Sequence, residues 1–505
     1  MNGIPLLTLL TVLPLVGAAI ALLSGRHARA VALVTTLAAL ALALLVWTKL
    51  PADGSIGLLE RTAWEPSLGI EYHLGVDALG ALMLVLSAIV TLMSVDAAHR
   101  VHKQPGLYFA LVLMLESGLF GSFTALNFFH WFLFWELSLI PAFFLIKLWG
   151  GAKRGPAATQ FFVYTMAGSV ALLLSFLAVF LATGNMDFGQ LGALAASGSL
   201  EKMVTAHVGP VMMGLAIGVL AGFAVKVPMA PFHTWLPAAY SEAPSPVTML
   251  LTGAMSKMGV YGLLRIALPI FGHQIAQIRT PLLVLAVVTV VMGAWAAAAQ
   301  KDLKRVFAYS SVNHLGYCLL GIFALAVPAS GLATQTSQAA ALNGVILQMF
   351  NHGITAAALF WFIAMMQERS GGERWIDHFG GLRKPAPVLA GMMGIVLFSS
   401  LGLPGLNGFV GEFLIFRGVF PLSWIAATVS ILGLLVTAAV ILTVIQKVFT
   451  GPVLEKWASF PDMHGGERLA MAPVIGLMFL LGLLPQLVVD SINPTVMSLL
   501  AHWRF

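Results

Sequence analysis

The sequence predicts an all-α membrane protein of about fourteen transmembrane helices. Of its 505 residues, 59% are hydrophobic and only 9% are charged. Apolar runs long enough to cross a bilayer recur from one end to the other, and a few ionisable residues sit inside them. Soluble domains hold roughly 25% charged residues. Such a composition cannot be buried in one aqueous core, so the solvent is lipid and the length counts spans rather than globular domains.

Taken in order, the candidate spans are 3–24, 29–49, 77–98, 106–126, 128–149, 158–183, 208–238, 244–268, 279–299, 303–325, 338–366, 386–419, 422–448 and 469–489. A crossing helix needs about 20 apolar residues, and each run satisfies that length. The division of 106–149 rests on Asn127 and the aromatic cluster beside it. The N-terminus from Met1 lacks a basic region and a small-residue cleavage site, so it reads as a first span rather than a removed signal. Four regions follow: helices one to three in 1–105, five helices in 106–268, five more in 279–448, and a loop with the last helix in 449–505.

Loops after odd-numbered segments carry Arg26, Arg29, Arg100, Lys103, Lys153, Arg154, Lys301, Lys304, Arg374, Arg383 and Lys384, among others. The opposite loops hold a sparser set that includes Lys49, Arg61, Lys202, Arg265, Arg279 and Arg504. This bias places the odd loops in the cytoplasm and both termini on the periplasmic side. It also accounts for the net charge of +6 without a nucleic-acid partner. The single cysteine, Cys318, excludes an intrachain disulfide and an iron–sulfur cluster held by this chain alone. The Ala- and Gly-rich composition points to a bacterial chain, hence to the cytoplasmic (inner) membrane.

Of the 26 Lys and Arg residues, only Lys226 and Lys257 fall inside apolar segments on this count. Among the acids, Glu116 ("LMLESGLF"), Glu136 ("FLFWELSLI") and Glu412 ("FVGEFLIF") do the same. A charge at the bilayer centre costs roughly 2.5–3.5 kcal/mol on insertion scales. Such residues pair, face a cavity or lose their charge. One reading is an ion pair that locks helices together. The other is a switchable proton carrier, because moving a carboxylate away from a buried lysine favours release of the lysine's proton. His314 ("VNHLGY") and His352 ("MFNHGI") lie in apolar spans, and His233 ("APFHTW") lies in or near the seventh. Each is either a hydrogen-bonded core residue or a relay passing a proton between its two nitrogens. Their spacing does not match a metal site.

The seventh segment reads "LAGFAVKVPMAPFHTWLP", with Pro228 and Pro231 just after Lys226. The twelfth reads "LFSSLGLPGLNGFVGEF", with Pro404 and three glycines just before Glu412. Proline removes a backbone donor and clashes with the preceding turn, so both helices break. A break at membrane depth is tolerated only where protein buries it or it lines a wet cavity. Two breaks five helices apart, each beside a charge, predict two inverted five-helix repeats, helices 4–8 and 9–13. Two unrelated proline kinks are the plainer alternative.

The stretch "FFHWFLFWELSLIPAFFLIKLWGG" with "ATQFFVYTMAGSVALLL" resembles subunit M, an antiporter-like chain of the proton-pumping NADH:quinone oxidoreductases (respiratory complex I). So do "KVPMAPFHTWLP", "SKMGVYGLLRI", "KDLKRVFAYSSVNHLGY" and "GLPGLNGFVGEFLIF", in the same order, and the likeness runs from about residue 70 to 490. The wider family includes subunits of multisubunit sodium/proton antiporters and membrane-bound hydrogenases.

The resemblance implies a proton axis of Glu136 paired with Lys226, then Lys257, His314, His352 and Glu412. Glu116 and His233 would support it. It implies no cofactor on this chain, with FMN, iron–sulfur clusters and quinone on partner subunits. Its partners would be neighbouring membrane subunits, other antiporter-like chains and lipid. The ending at Phe505 argues against the longest such subunit, which carries a lateral helix. One stretch departs from the family: where an acid, Ala and His usually follow "HTWLP", this chain has Ala238, Ala239 and Tyr240. A sodium/proton antiporter subunit and a non-conducting scaffold remain the rival readings.

Overall fold

The computed structural model describes residues 5–65, 70–328, 331–503 and 505. The expected start of the first segment at residues 3 and 4, and Arg504, lie outside these. Among the described residues the chain is helical apart from loops and one antiparallel hairpin, β1 (Gly57–Glu65) with β2 (Ile70–Val76).

The first six segments form α1 (Leu6–Leu23), α2 (Ala28–Thr48), α3 (Ala78–Ala97), α4 (Pro105–Thr124), α5 (Phe128–Trp149) and α6 (Arg154–Thr183). Two short helices follow, α7 (Phe188–Ala196) and α8 (Ser199–His207). The seventh segment is α9 (Met212–Lys226) and α10 (Trp235–Glu242). Next come α11 (Ser245–Gln277), α12 (Arg279–Ala298), α13 (Leu303–Ala324) and α14 (Leu332–Arg369). The twelfth segment is α15 (Pro387–Leu401) and α16 (Asn407–Leu422). The chain closes with α17 (Trp424–Phe449), α18 (Gly465–Leu483) and α19 (Gln486–His502). Twelve of these, α1–α6, α11–α14, α17 and α18, are long and apolar enough to cross a membrane. The seventh and twelfth segments are broken, as expected. Asn127 divides α4 from α5 as expected, accepting the Phe129 N–H at 3.1 Å as a helix N-cap.

Three features escaped the apolar count. The hairpin did, because Glu60, Arg61 and Glu65 interrupt its alternation. The short α8 meets α9 at a 105° bend, so it is no part of a straight span. The run 469–489 is not continuous: α18 stops at Leu483, and Pro485 precedes α19.

Helices α3, α4, α11, α13 and α14 form the interior, between 89% and 100% of their apolar windows being buried. In α1, α2 and α18 the share is only 28–39%, and residues such as Val16, Leu23 and Leu483 are exposed. Exposed leucine is stable in lipid, so these helices form the rim and the polar residues of the inner five are shielded from it.

The loop assignment of two cations is corrected. Arg265 is 8% exposed and pairs with the buried Asp77. Lys304 is 2% exposed and donates to the Ala243 carbonyl at 2.5 Å. Sequence position put both near span ends, but α11 runs nine residues past its expected limit, and Asp302 caps α13 so that Lys304 starts inside the bundle.

Candidate proton axis

Both predicted breaks are present, and each is closed by protein. In the first, α9 ends at Lys226, and Pro228 and Pro231 lie in the break. The Ala230 N–H is taken by Thr289 Oγ1 of α12 at 3.0 Å. Trp235 Nε1 donates to the freed Val225 carbonyl at 2.9 Å. In the second, Gly402 ends α15 with φ +80°. Its N–H reaches Ser399 O at 3.1 Å and that of Leu403 reaches Phe398 O at 3.1 Å, a Schellman closure that a left-handed glycine permits. Pro404 follows, where no helix can continue. Asn351 of α14 donates to the Asn407 carbonyl at 2.7 Å, and Thr355 meets Ser399 at 3.0 Å. The backbone freed by each break is thus satisfied at depth, as membrane burial requires.

Lys257 is fully buried in the middle of α11. The helix widens just before it, over Leu251–Met255, where Ser256 N–H bonds to Leu251 O at 3.1 Å. Such π-turns expose backbone acceptors and recur at functional sites. Lys257 Nζ uses this one: it donates to the Thr252 carbonyl, and it lies 3.4 Å from Ser256 Oγ and 2.8 Å from His352 Nδ1. The imidazole of His352 stands 5.2 Å, centre to centre, from that of His314. His314 Nδ1 lies 3.0 Å from Glu412 Oε1, which Gln348 Nε2 also approaches at 3.4 Å. Lys257, His352, His314 and Glu412 therefore form one row across α11, α14, α13 and α16. A cavity of about 10 Å³ beside His314, His352 and Glu412 is lined by Ser310, Ser311, Thr355, Ser399 and Ser400, among others. That is about the room of one water.

Glycines bring Glu412 into the row. A Cβ on Gly411 would lie 2.7 Å from Gln348 Oε1, and one on Gly408 would lie 1.9 Å from the Ser399 carbonyl. Only glycine lets α16 approach α14 and its own first half this closely.

The other half is looser. Lys226 is 3% exposed, its Nζ 3.4 Å from Ser138 Oγ and 4.4 Å from the centre of the Trp135 ring. Glu136 lies between those two residues on α5. The two form no ion pair within 4.0 Å; the lysine amine lies against Trp135 and Ser138. Neither carboxylate oxygen of the fully buried Glu116 has a hydrogen-bond partner among the described residues, although Thr91 stands beside it. His233 sits half-buried in the first break, its Nδ1 without a hydrogen-bond partner among the described residues. The helices of Lys226 and Lys257, α9 and α11, touch: a Cβ on Gly259 would lie 3.1 Å from that of Lys226.

Sequence reasoning missed the small hydroxyls around Lys257 and three ionic clusters. On the basic face, Arg374 joins Asp302 at 2.8 Å and Glu242 at 3.6 Å. Within the bundle, Asp77 caps α3 and holds Arg265. On the opposite face, Glu71, His73 and Asp187 offer donor atoms close enough to share an ion. Arg61 already holds Glu71 at 2.7 Å and His73 holds Asp187 at 2.7 Å, so a cation would meet an arginine and this group reads as an ionic clasp. Burial works against the Asp187 charge, but His73, the Gln190 N–H and Arg61 outweigh it and hold the carboxyl below its usual range.

Residues 125–441 match the family model described as "NADH:quinone oxidoreductase/Mrp antiporter, TM". A relative from Rhodobacter capsulatus, NADH-quinone oxidoreductase subunit M, is 34% identical over 99% of this chain and 97% of its own length. A chain of respiratory complex I from Thermus thermophilus superposes with a TM-score of 0.86 at 27% identity, covering 99% of this chain and all of that one. A chain of the Mrp complex from Dietzia sp. shares the fold at a TM-score of 0.84 and 22% identity, over 98% of this chain and 97% of that one. With long motifs, the family model and nearly full-length relatives in agreement, this chain belongs to the antiporter-like membrane subunits of the NADH:quinone oxidoreductase/Mrp family, among its subunit M members.

Proposed function

We propose that this chain moves protons through the membrane as the subunit M of a respiratory NADH:quinone oxidoreductase. The observation that carries this is the row Lys257–His352–His314–Glu412, in which lysine, two imidazoles and a carboxylate follow one another inside an apolar bundle. Each can bind and release a proton, and neighbours this close exchange protons directly or through one water. Quinone reduction on partner subunits would draw Glu136 toward or away from Lys226. A retreating Glu136 destabilises the Lys226 charge and sends its proton toward Lys257. The proton then runs down the row and leaves beyond Glu412. The gap at Lys226 fits a step that a shift of α9 or α5 opens and closes.

On this reading the two broken segments are the equivalent elements of inverted repeats. Glu116 and His233 flank the axis, and FMN, clusters and quinone sit on other subunits. The basic loops face the cytoplasm of a bacterial cell. Because the family also spans Mrp antiporters, sodium/proton exchange without a redox partner is the second reading. Purification with native partners decides between them. Co-isolation of quinone-reducing subunits, with NADH-driven acidification of vesicles in the absence of sodium, is the expected result. Co-isolation of small membrane subunits alone, with exchange driven by a sodium gradient, would overturn it.

A further inference from the structure

We propose that Arg265, paired with Asp77, is a fixed positive plug that stops protons from passing between Lys257 and the face opposite the basic loops. The inference rests on the proton-axis reading above and gives the ion pair inside the bundle a part in it.

A cavity of about 680 Å³ opens among the hairpin, α3, α7, α11 and α19. At about 30 Å³ per molecule it has room for about twenty waters. Arg61, His73 and Asp187 of the ionic clasp line it, and so do Asp77 and Arg265. Arg265 is the buried arginine of that lining, whereas the Arg61 side chain is 49% exposed.

Arg265 stands between this cavity and the lysine. Lys257–Gly262 is a regular stretch of α11, so Tyr261 lies one turn from Lys257 on the same side of the helix. The guanidinium of Arg265 lies over the Tyr261 ring, 5.7 Å from its centre. Lys257, Tyr261 and Arg265 therefore make a ladder of polar side chains that ends at the cavity. The Tyr261 hydroxyl donates to the Phe123 carbonyl of α4 at 3.0 Å, which commits its proton away from the ladder.

An open ladder would be a short circuit, because a proton on Lys257 could leave before His352 took it. A guanidinium blocks the passage in two ways. It keeps its own proton and has no acceptor for another, so it cannot relay one. Its charge, little screened inside the bundle, also repels a hydronium or a metal cation from either side. Asp77 anchors it from a second helix: one carboxylate oxygen takes Arg265, and the other takes the Gly80 N–H at 3.1 Å.

The test is Asp77→Asn with Arg265→Gln in the complete complex, which removes both charges and keeps polar groups in place. A pH difference is imposed on phospholipid vesicles holding the complex, without NADH, and its decay is followed. The expected decay is about tenfold or more faster than wild type, as loss of a charge barrier allows. Adding Lys257→Ala should restore the wild-type decay. Asp77→Leu with Arg265→Met leaves a dry apolar contact and should stay tight; equal leak from both pairs would mark a merely structural role and overturn the plug. If the uncharged polar pair does not assemble, Asp77→Ser with Arg265→Asn is read in its place. Wild-type decay in the polar pair overturns the plug, as does a fast decay that Lys257→Ala leaves unchanged, and the axis stands in either case. Wild-type NADH-driven delivery by Lys257→Ala alone overturns the axis and the plug with it.

Discussion

Nζ of Lys257 lies 2.8 Å from Nδ1 of His352, although 95 positions separate the two residues. An ammonium has no acceptor, so Nδ1 must offer its lone pair when Lys257 is charged. On the proposed path a proton leaving the lysine would land on that nitrogen, and the other ring nitrogen would pass one on. The contact is directional and depends on an imidazole.

Replacing His352 with Ala removes that landing point and leaves Lys257 bound only to Thr252 and Ser256. NADH-driven acidification of vesicles should fall about tenfold or more, while the variant complex still assembles, as read on a native gel. Undiminished acidification would take His352 out of the path.

The second break depends on Gly408. A methyl group there would sit 1.9 Å from the Ser399 carbonyl, a backbone atom that cannot step aside. Gly408→Ala should cost about 1–3 kcal/mol through overpacking and push Glu412 away from His314. Thermal unfolding of the purified complex measures the first effect and proton delivery the second.

Asp77 and Arg265 neutralise each other inside the bundle, their side chains 2% and 9% exposed. Asp77→Asn leaves a buried guanidinium without its counter-charge, at a cost of about 3–5 kcal/mol. Replacing both at once, Asp77→Leu with Arg265→Met, should restore most of the lost stability. A double variant no better than the single one would show that the pair does not act as a unit.

Asp187 ties α7 to the hairpin through His73, and its carboxyl is held below the usual value. A depressed carboxyl stabilises the fold above its unfolded pKa, about 3.9, and that contribution fades as pH falls through the folded value. Unfolding temperatures should therefore drop on acidification below about pH 4, and Asp187→Asn should flatten that drop while lowering stability at neutral pH. An unchanged acid limb in the variant would assign the loss to other groups.

The membrane fold was legible because lipid demands long apolar runs, and Pro228, Pro231 and Pro404 mark breaks whatever surrounds them. The row from Lys257 to Glu412 was legible as a set of misplaced charges, because inserting each is costly enough to need a reason. What stayed hidden depends on contacts between distant segments. Nothing in the order of residues says that Thr252 and Ser256 wrap Lys257, since a π-turn decides where those groups point. Arg265 and Lys304 looked like loop residues because their burial depends on where α11 ends and α13 begins. The pairing of Glu136 with Lys226 came only from the resemblance; in the structure the lysine amine lies against Trp135 and Ser138.

Glu412→Gln is the sharpest probe of the central claim, since it keeps the shape and the hydrogen bond to His314 but cannot take and release a proton. Proton delivery into vesicles by the assembled complex, driven by NADH, should fall about tenfold or more in this variant. Delivery at the wild-type rate would contradict a proton path that runs through Lys257, His352, His314 and Glu412.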